Sequence, residues 1–596
     1  MDVALEKGIN DAMASLRELS VGSIDFSQLD PVAKMMIVTL VSESKKIHDY
    51  VDSMGQRLTE RFCTDFIPRK NVEAMPAVCV LCPTLKKGHD DVISYVGNDA
   101  VFSYKIPQSK TPLNYIPIFN TALLPHSSLY LITPNKLWRE EGTLRIKMPK
   151  TNQMWIGIRT QTEVDCIKGL SLFIKGTNGI LPTNIHCGIE DKELDFATML
   201  EMENIEMVEP FDAQQSSGKF FSFVESWKES LLSIPGAALL YLTDETVERD
   251  LFKHRAYPRV FQQWMDNDTL NMLDPHTIWF RLDFPDGYDV PDTCQVQLNA
   301  MPVTNIDVCS LTLTQTQPIA KLQGAENSYF LNILETSTDA QQQGFNATGD
   351  DIIVRDFDAA CYNNGDLYRD VRNLYNRFID DYYAFIEYNG IKDGETLKQL
   401  REIINRLGKG VGTQNTKYQF DSGTFVMKNM NQFPPTLTTK VSYITTMGKL
   451  GNAPQKGEAM ENKKLPFLDQ KISVLVPATG GTDKATADER YEQLRYYALT
   501  GDRLYTRMDV DAFLRKEVLA EFGKEEFKRI FIKTSIEGAG GEKQLQRGLY
   551  IDLEFKDRKN YEQAQAISFD HLMQQRIKNK SCIAMPIVVT LTNLDE

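Results

Sequence analysis

Histidine is scarce in this chain, with seven among 596 residues, and none falls in HExxH. No serine occupies GxSxG, and no GxxxxGK[ST] phosphate loop occurs anywhere. Catalytic groups converge in space, so these absences lower the expectation of an enzyme without excluding one. No apolar run approaches the roughly 18 residues that span a bilayer. The longest candidate, Leu231 to Leu242, is interrupted by Ser233, Pro235 and Gly236 and reads as a buried segment. The opening MDVALEKGINDAMASL lacks the basic start and apolar run of a secretory signal. Basic residues are the minority, 66 against 81 acidic, for a formal charge of -15. That balance disfavours nonspecific attraction to nucleic acid or to an anionic membrane surface. The nine cysteines are odd in number and scattered, which suits reduced thiols in a cytoplasm better than a disulfide framework. Asn346-Ala347-Thr348 then carries no glycosylation meaning.

What is present suffices for several folded units. With 42% hydrophobic residues over 596 positions, one core is not enough and three or four units are expected. Asp30-Pro31 places a carboxylate at an N-cap and proline at the first helical position. Beyond it, Ile47, Tyr50, Val51, Met54, Leu58 and Phe62 recur at helical spacing, so residues 1–66 read as a helical N-terminal region. From Ala77 short apolar runs are broken by Gly, Pro, Asn and Asp, as in Val78 to Leu81, Leu129 to Ile132, Thr143 to Ile146, Trp155 to Ile158 and Leu170 to Ile174. Residues 67–335 read as β-rich. Inside that region, WIGIRTQTEVDCIKGLSLFIKG from Trp155 lies over WFRLDFPDGYDVPDTCQVQLNA from Trp279, with Asp165 and Asp289 in step. A duplicated β unit and coincidence account for this equally well.

Residues 336–350 form a polar linker. Over 351–450, Leu367, Val371, Leu374, Phe378 and Phe385, then Leu397, Leu400, Ile404 and Leu407, predict a helical hairpin followed by strands. After a break at GNAPQKGEAMENKKLP, residues 467–596 offer a strand at Ile472 to Val476, helices near 488–499 and 509–521, a strand at Arg529 to Lys533, an alternating strand at Leu549 to Phe555, a helix over 561–578 and a last strand over 583–591. Pro586 puts that last strand at an edge. The unit reads as an α+β sandwich of the split βαβ kind. The whole is α+β and multidomain.

Few residues invite chemistry. Cys79 and Cys82 have zinc-like spacing, but three residues apart on a strand their side chains diverge, and no second pair completes a site. His186-Cys187 has no partner either. Gly408, Gly410 and Gly412 follow a helix, whereas a dinucleotide loop follows a strand. Asp356, Asp358, Asn363, Asn364 and Gly365 put Ala360 at the first ligand position of an EF-hand loop, and solvated charge is the better reading. No catalytic, cofactor or metal residue is assigned. His254, Arg255, Tyr257, Arg259, Phe261 and Trp264 interleave basic and aromatic side chains, and on an acidic chain protein interface or plain packing is favoured over nucleic acid.

These pieces resemble the TssF family, also called VasA or ImpG, in three places. Asp30-Pro31-Val32, Glu43, Lys46-Ile47 and Phe66-Ile67-Pro68 are similar to the family's opening, DP...E..I...L.P. LNAMPVTNIDV, with Pro302, Val303 and Asn305 followed by Gln317-Pro318-Ile319, resembles its PvvN...Pi segment and is the most specific match. ALTGDRLYTRMDVDAFL, Ala498 to Leu514, resembles a segment of contractile phage baseplate proteins in which an apolar helix follows an R.vT..D start. Thr304 stands where an apolar residue is usual, and Lys34-Met35-Met36 stands in place of RL.E. A divergent branch, such as the type VI systems of Bacteroidota, would account for both.

The resemblance implies a structural wedge subunit without cofactor. Two TssF copies and one TssG would form a helical bundle and a branched junction, with TssK adaptors linking wedges to the inner-membrane complex and the wedges surrounding the hub beneath sheath and tube. The protein would then be cytoplasmic, docked at the membrane without inserting. Candidate bundle contacts are the segments near 31–62 and 366–407, Leu374 and Phe378 in particular, with Tyr257, Arg259 and Trp264 as further partner contacts. Two rivals stand beside this reading: a baseplate protein of another phage-derived particle, and a polymer-acting hydrolase with facing carboxylates about 5 to 9.5 Å apart on β loops.

Overall fold

The computed structural model describes residues 30–41, 67, 72–86, 93–106, 111–176, 185–208, 220–243, 252–338, 352–357, 423–428, 438–523, 527–538 and 545–593, with short gaps inside several stretches, and single helical positions at 376, 398–399, 402 and 405–406. The chain is α+β and multidomain. It divides into two units: Met1–Arg61 with Thr314–Leu322 and Ala347–Thr436, and Phe62–Leu313 with Gln323–Asn346 and Leu437–Glu596.

The larger unit is built around a closed barrel of six strands in the order Val78–Cys82, Met301–Thr304, Leu113–Pro117, Phe102–Tyr104, Ala459–Asn462 and Lys471–Thr479. Alternation along a strand sorts its side chains between two cores. Cys79 and Leu81 join Phe102, Tyr115 and Val303 in one cluster, whereas Val78 and Val80 pack with Phe119 and Trp227 in another. The helix Phe220–Leu232 covers the first strand with Val224, Trp227 and Leu231, which recur at helical spacing and are all buried. The expected strand at Ile472 to Val476 forms over Lys471–Thr479, but it closes the barrel instead of joining the C-terminal layer.

Between the barrel strands lies a sandwich. One sheet has seven strands, in the order Lys192–Leu194, His186–Ile189, Thr277–Asp283, Gln153–Arg159, Ser128–Thr133, Lys136–Arg139 and Gly142–Arg145; the other has four, Phe196–Thr198, Ala237–Leu242, Ser171–Lys175 and Gln295–Leu298. Met154, Ile156, Ile158 and Phe280 face Leu172, Ile174, Leu240 and Leu298 across the shared core. The intervening positions Trp155 and Trp279 enter an aromatic cluster on the outer face. Both sides of these central strands are therefore buried, so the sequence runs apolar without alternating.

The two segments laid over one another by their tryptophans pair with each other. Ile156 lies opposite Phe280 in one ladder and Phe173 opposite Gln297 in the next. In both ladders these mid-strand partners are 124 residues apart, as are Trp155 and Trp279. Gly157 opposes Trp279, and a Cβ there would lie 2.7 Å from the indole, so the glycine makes room for the ring.

The C-terminal layer is a three-stranded sheet, with Leu545–Phe555 between Phe527–Gly538, which is antiparallel to it, and Ile587–Asn593, which is parallel. The helices Ala487–Thr500 and Arg507–Phe522 precede the sheet, each opened by a threonine capping box. The helix expected over 561–578 is two helices, Arg558–Ala566 and Phe569–Lys580. Ser568, at φ 52, stands in the left-handed region between them and ends the first. Ile587–Asn593 begins right after Pro586 at the sheet edge, where the missing N–H costs no ladder bond.

In the smaller unit, Gly423–Lys428 is flanked by Ile319–Lys321 and Ile352–Phe357. Residues 31–33 and 35–41 are helical. The expected helical hairpin falls almost wholly outside the described residues, Leu374 and Phe378 included. Lys398, Gln399, Glu402, Asn405 and Arg406 are helical and exposed, and Arg406 pairs with Glu402 at 3.7 Å, one turn apart.

Candidate assembly surfaces

The Pro302-Val303-Asn305 motif lies where the barrel meets the strand Thr439–Thr446. Val303 packs in the barrel cluster, and Pro302 pairs with Val80. Thr304 is fully buried, and its hydroxyl donates to Ala77 O at 3.2 Å, which offsets the cost of a polar group where an apolar one is usual. Asn305 uses both ends of its buried amide. Nδ2 donates to Asn114 O at 2.8 Å, while Oδ1 accepts from Met447 N at 3.0 Å and Thr446 Oγ1 at 3.2 Å. Its own N–H donates to Ala77 O at 2.8 Å. One side chain thus ties together three segments distant in sequence. Beside it Asn114 Nδ2 donates to Asp307 Oδ1 at 2.7 Å. Burial pushes the Asp307 carboxyl up, and the bond from Asn114 opposes that rise.

The basic and aromatic run near residue 257 is divided by the fold. Phe261 is fully buried, with ring centroids 5.1 Å from Trp155 and 5.0 Å from both Trp264 and Trp279. Tyr257 and Trp264 are half-buried against this cluster, and Arg259 is exposed beside them. His254 contacts Thr160 Oγ1 at 2.7 Å, and Arg255 pairs with Glu190. The aromatic members are positioned by packing, and Arg255, Arg259 and Val260 reach solvent.

In the smaller unit, the helix that Pro31 opens carries Val32, Met35, Met36 and Leu40 at i, i+3, i+4 and i+8, all 62–73% exposed. That is one apolar stripe facing outward. A further exposed apolar area lies on the C-terminal layer, where Leu499, Met508, Ile530 and Ile532 line a hollow of about 280 Å³ with Arg495, Arg507 and Asp511. Another hollow, about 380 Å³, opens between Ser128, Trp138, Arg139 and Gln297. Between them the two hollows hold one carboxylate, Asp511, which accepts from Arg515 Nε at 2.8 Å. Neither presents the facing pair of a glycan hydrolase.

Cys79 lies inside the barrel and burial holds its thiol far above the ordinary range; Cys82, on the opposite face, is raised less by burial and accepts from Gln297 Nε2 at 3.0 Å. Burial likewise pushes Cys187 up to about 12. Among the described residues no group of three His, Cys, Asp or Glu side chains could hold a metal ion. No described helix is long and apolar enough to cross a membrane. The glycines 408, 410 and 412 and residues 358–365 lie outside the described residues.

No family model matches the sequence, and no curated protein matches it. Solved structures do. A chain of a type VI secretion system TssK-TssF-TssG baseplate subcomplex aligns over 94% of this chain and 96% of its own, at 10% identity and TM-score 0.42. A chain of the baseplate complex from the type VI secretion system aligns over 99% and 96%, at 11% identity and TM-score 0.31. A chain of the anti-feeding prophage baseplate aligns over 98% and 70%, at 7% identity and TM-score 0.28. The neighbours are baseplate assemblies, and at these values the likeness carries no argument about activity.

Sequence reasoning missed the exposed area of the C-terminal layer. Its signal was indirect: Tyr491, Leu499 and Met508 are large apolar residues in a helix pair that already has buried ones such as Val510, Phe513, Leu514 and Val518, and Tyr505 lies in the turn between the two helices. Such an excess leaves apolar side chains that one core cannot cover.

Proposed function

We propose that this chain is a structural subunit of a contractile injection baseplate, acting as a TssF-like wedge component and not as an enzyme. The observation that carries the reading is the outward apolar stripe Val32, Met35, Met36 and Leu40, on the helix whose Asp30-Pro31-Val32 start resembles the family opening. Four large apolar side chains on one exposed helical face are unfavourable in water and are suited to burial in a bundle with other subunits. The motif Pro302-Val303-Asn305 supports the same reading from the other side, since it serves a buried junction of the scaffold and no reactive centre. The partners would be a smaller TssG-like subunit, a second copy of this chain and TssK-like adaptors, with hub and sheath proteins contacted in the finished particle. Its place would be the cytoplasm, docked at the inner membrane through the secretion complex.

The test is the native mass of the chain expressed alone and with its genomic neighbours. A heteromer with two copies of this chain for each copy of a smaller partner is expected. A lone monomer in the presence of that neighbour overturns the reading.

A further inference from the structure

Methionine is divided sharply between the interior and the surface of this molecule. Met75, Met154, Met301, Met460 and Met573 are at most 2% exposed, whereas Met35, Met36 and Met508 are 73%, 62% and 76% exposed. Met508 lines the hollow of the C-terminal layer. Met35 and Met36 stand in the outward stripe of the helix that Pro31 opens, between Val32 and Leu40 along its axis.

The four members of the stripe differ in chemistry. Val32 and Leu40 are hydrocarbons and inert to mild oxidants, while Met35 and Met36 each carry a thioether. A peroxide delivers one oxygen atom to such a sulfur: a sulfur lone pair forms the S–O bond, the O–O bond breaks, the sulfur loses two electrons and the peroxide leaves as water. The reaction needs access to the sulfur, which the stripe grants and the cores deny. Its product, the sulfoxide, is polar where the thioether was apolar. Two such changes convert half of the stripe, and burying a sulfoxide oxygen against an apolar partner without a donor is unfavourable.

We propose that Met35 and Met36 are an oxidative modification site, converted to sulfoxides by hydrogen peroxide ahead of the buried methionines, and that this conversion turns the stripe off as an assembly surface. The second half rests on the assignment of the stripe to subunit contact in a baseplate. The reduced helix joins its partners and the oxidised helix does not, and a methionine sulfoxide reductase would restore it.

The full chain is treated with graded hydrogen peroxide, cleared with catalase and divided. One portion is digested with trypsin, and sulfoxide is quantified by mass spectrometry in the peptide spanning residues 35–45 and in those carrying Met154, Met301 and Met460. The other is titrated with the untreated genomic neighbour. Residues 35–45 are expected to oxidise at least about tenfold faster than the buried sites, with the melting temperature of the chain unmoved and its affinity for the neighbour lowered about tenfold or more. Met35→Leu with Met36→Leu keeps the stripe apolar and should assemble as tightly after peroxide as before, which separates the stripe from Met508 and from the thiols. Equal oxidation of exposed and buried sites, or a leucine variant that loses as much affinity as the native chain, overturns the proposal. An oxidised chain that assembles as tightly as the untreated one overturns it while leaving the baseplate reading standing. An untreated chain that does not assemble with the neighbour overturns that reading, and the switch with it.

Discussion

The side-chain oxygen of Asn305 accepts the backbone N–H of Met447, 142 residues away, at 3.0 Å. Replacing Asn305 by Ala removes that acceptor, takes the same acceptor from the Thr446 hydroxyl, which keeps the bond it accepts from Gly448 N, and removes the amide donor to Asn114 O, in a site where Asn305 is only 1% exposed. Each buried group left unsatisfied costs about 1–3 kcal/mol, so a loss of several kcal/mol is expected in denaturant unfolding. Asn305→Asp should be nearly as costly at pH 7, since a carboxylate there sits close to Asp307 and has no N–H for Asn114 O; part of the loss should be regained on acidification.

Asp307 gives a prediction of opposite sign. Burial raises its folded carboxyl above the unfolded value, so its contribution favours folding at low pH and is lost as pH rises through the folded value. Asp307→Asn keeps an oxygen for Asn114 and removes the buried charge. Thermal melts at pH 7 should show equal or higher stability.

Glu517 behaves in the reverse way. It lies between Lys516 Nζ, 2.9 Å away, and the Arg576 guanidinium. Burial alone would raise its carboxyl, but the two cations override that and bring it to about 2. A depressed folded value contributes stability above the unfolded carboxyl range, and this is lost as pH falls from about 4.5 toward about 2. Glu517→Gln leaves Lys516, 6% exposed and 4.7 Å from the Tyr496 ring, without its anion. A loss of roughly 3–5 kcal/mol is expected, together with a flatter acid limb of stability.

Gly157→Ala sets a Cβ 2.7 Å from the Trp279 indole. The ring is held by Nε1 donating to Ala256 O at 3.2 Å and by its stacking on Tyr130 at 5.9 Å, so it cannot step aside without losing both. A cost of about 1–3 kcal/mol and a shift in tryptophan fluorescence should be measured.

Met35→Glu with Leu40→Glu changes two residues 73% and 67% exposed. The melting temperature of the isolated chain should move little, whereas the heteromer with its genomic neighbour should weaken by tenfold or more. Unchanged partner binding would remove this helix from the assembly surface.

Much of the local structure was legible. Val78 to Leu81, Trp155 to Ile158 and Leu549 to Phe555 declared themselves because strands buried on two faces run apolar and those buried on one face alternate. The barrel was not legible, because its six strands are gathered from residues 78 to 479 and nothing local in Ile472 to Val476 says which sheet it joins. The break at Ser568 was hidden for a related reason: no glycine or proline marks it, and the surrounding apolar residues continue at helical spacing. For the sites, the resemblance drew attention to Asn305, but only the fold reveals three segments meeting on its amide. The division of Tyr257, Arg259 and Trp264 between packing and solvent follows from which face of Thr277–Asp283 they cover.

The barrel also sets an order of events during synthesis. Met301–Thr304 pairs with Val78–Cys82, yet Lys471–Thr479, which closes the ring on the other side of Val78–Cys82, leaves the ribosome 175 residues after Thr304. At about 5–20 residues per second that is a wait of roughly 9–35 s. Throughout it the nascent barrel exposes the flank of its first strand, while the sandwich inserted between its third and fourth strands in chain order, Leu113–Pro117 and Met301–Thr304, is already complete. A holding chaperone acting on this chain would find its most persistent target at Val78–Cys82, and a stalled or truncated product ending before residue 459 would be marked for removal by two open edges, that strand and Phe102–Tyr104.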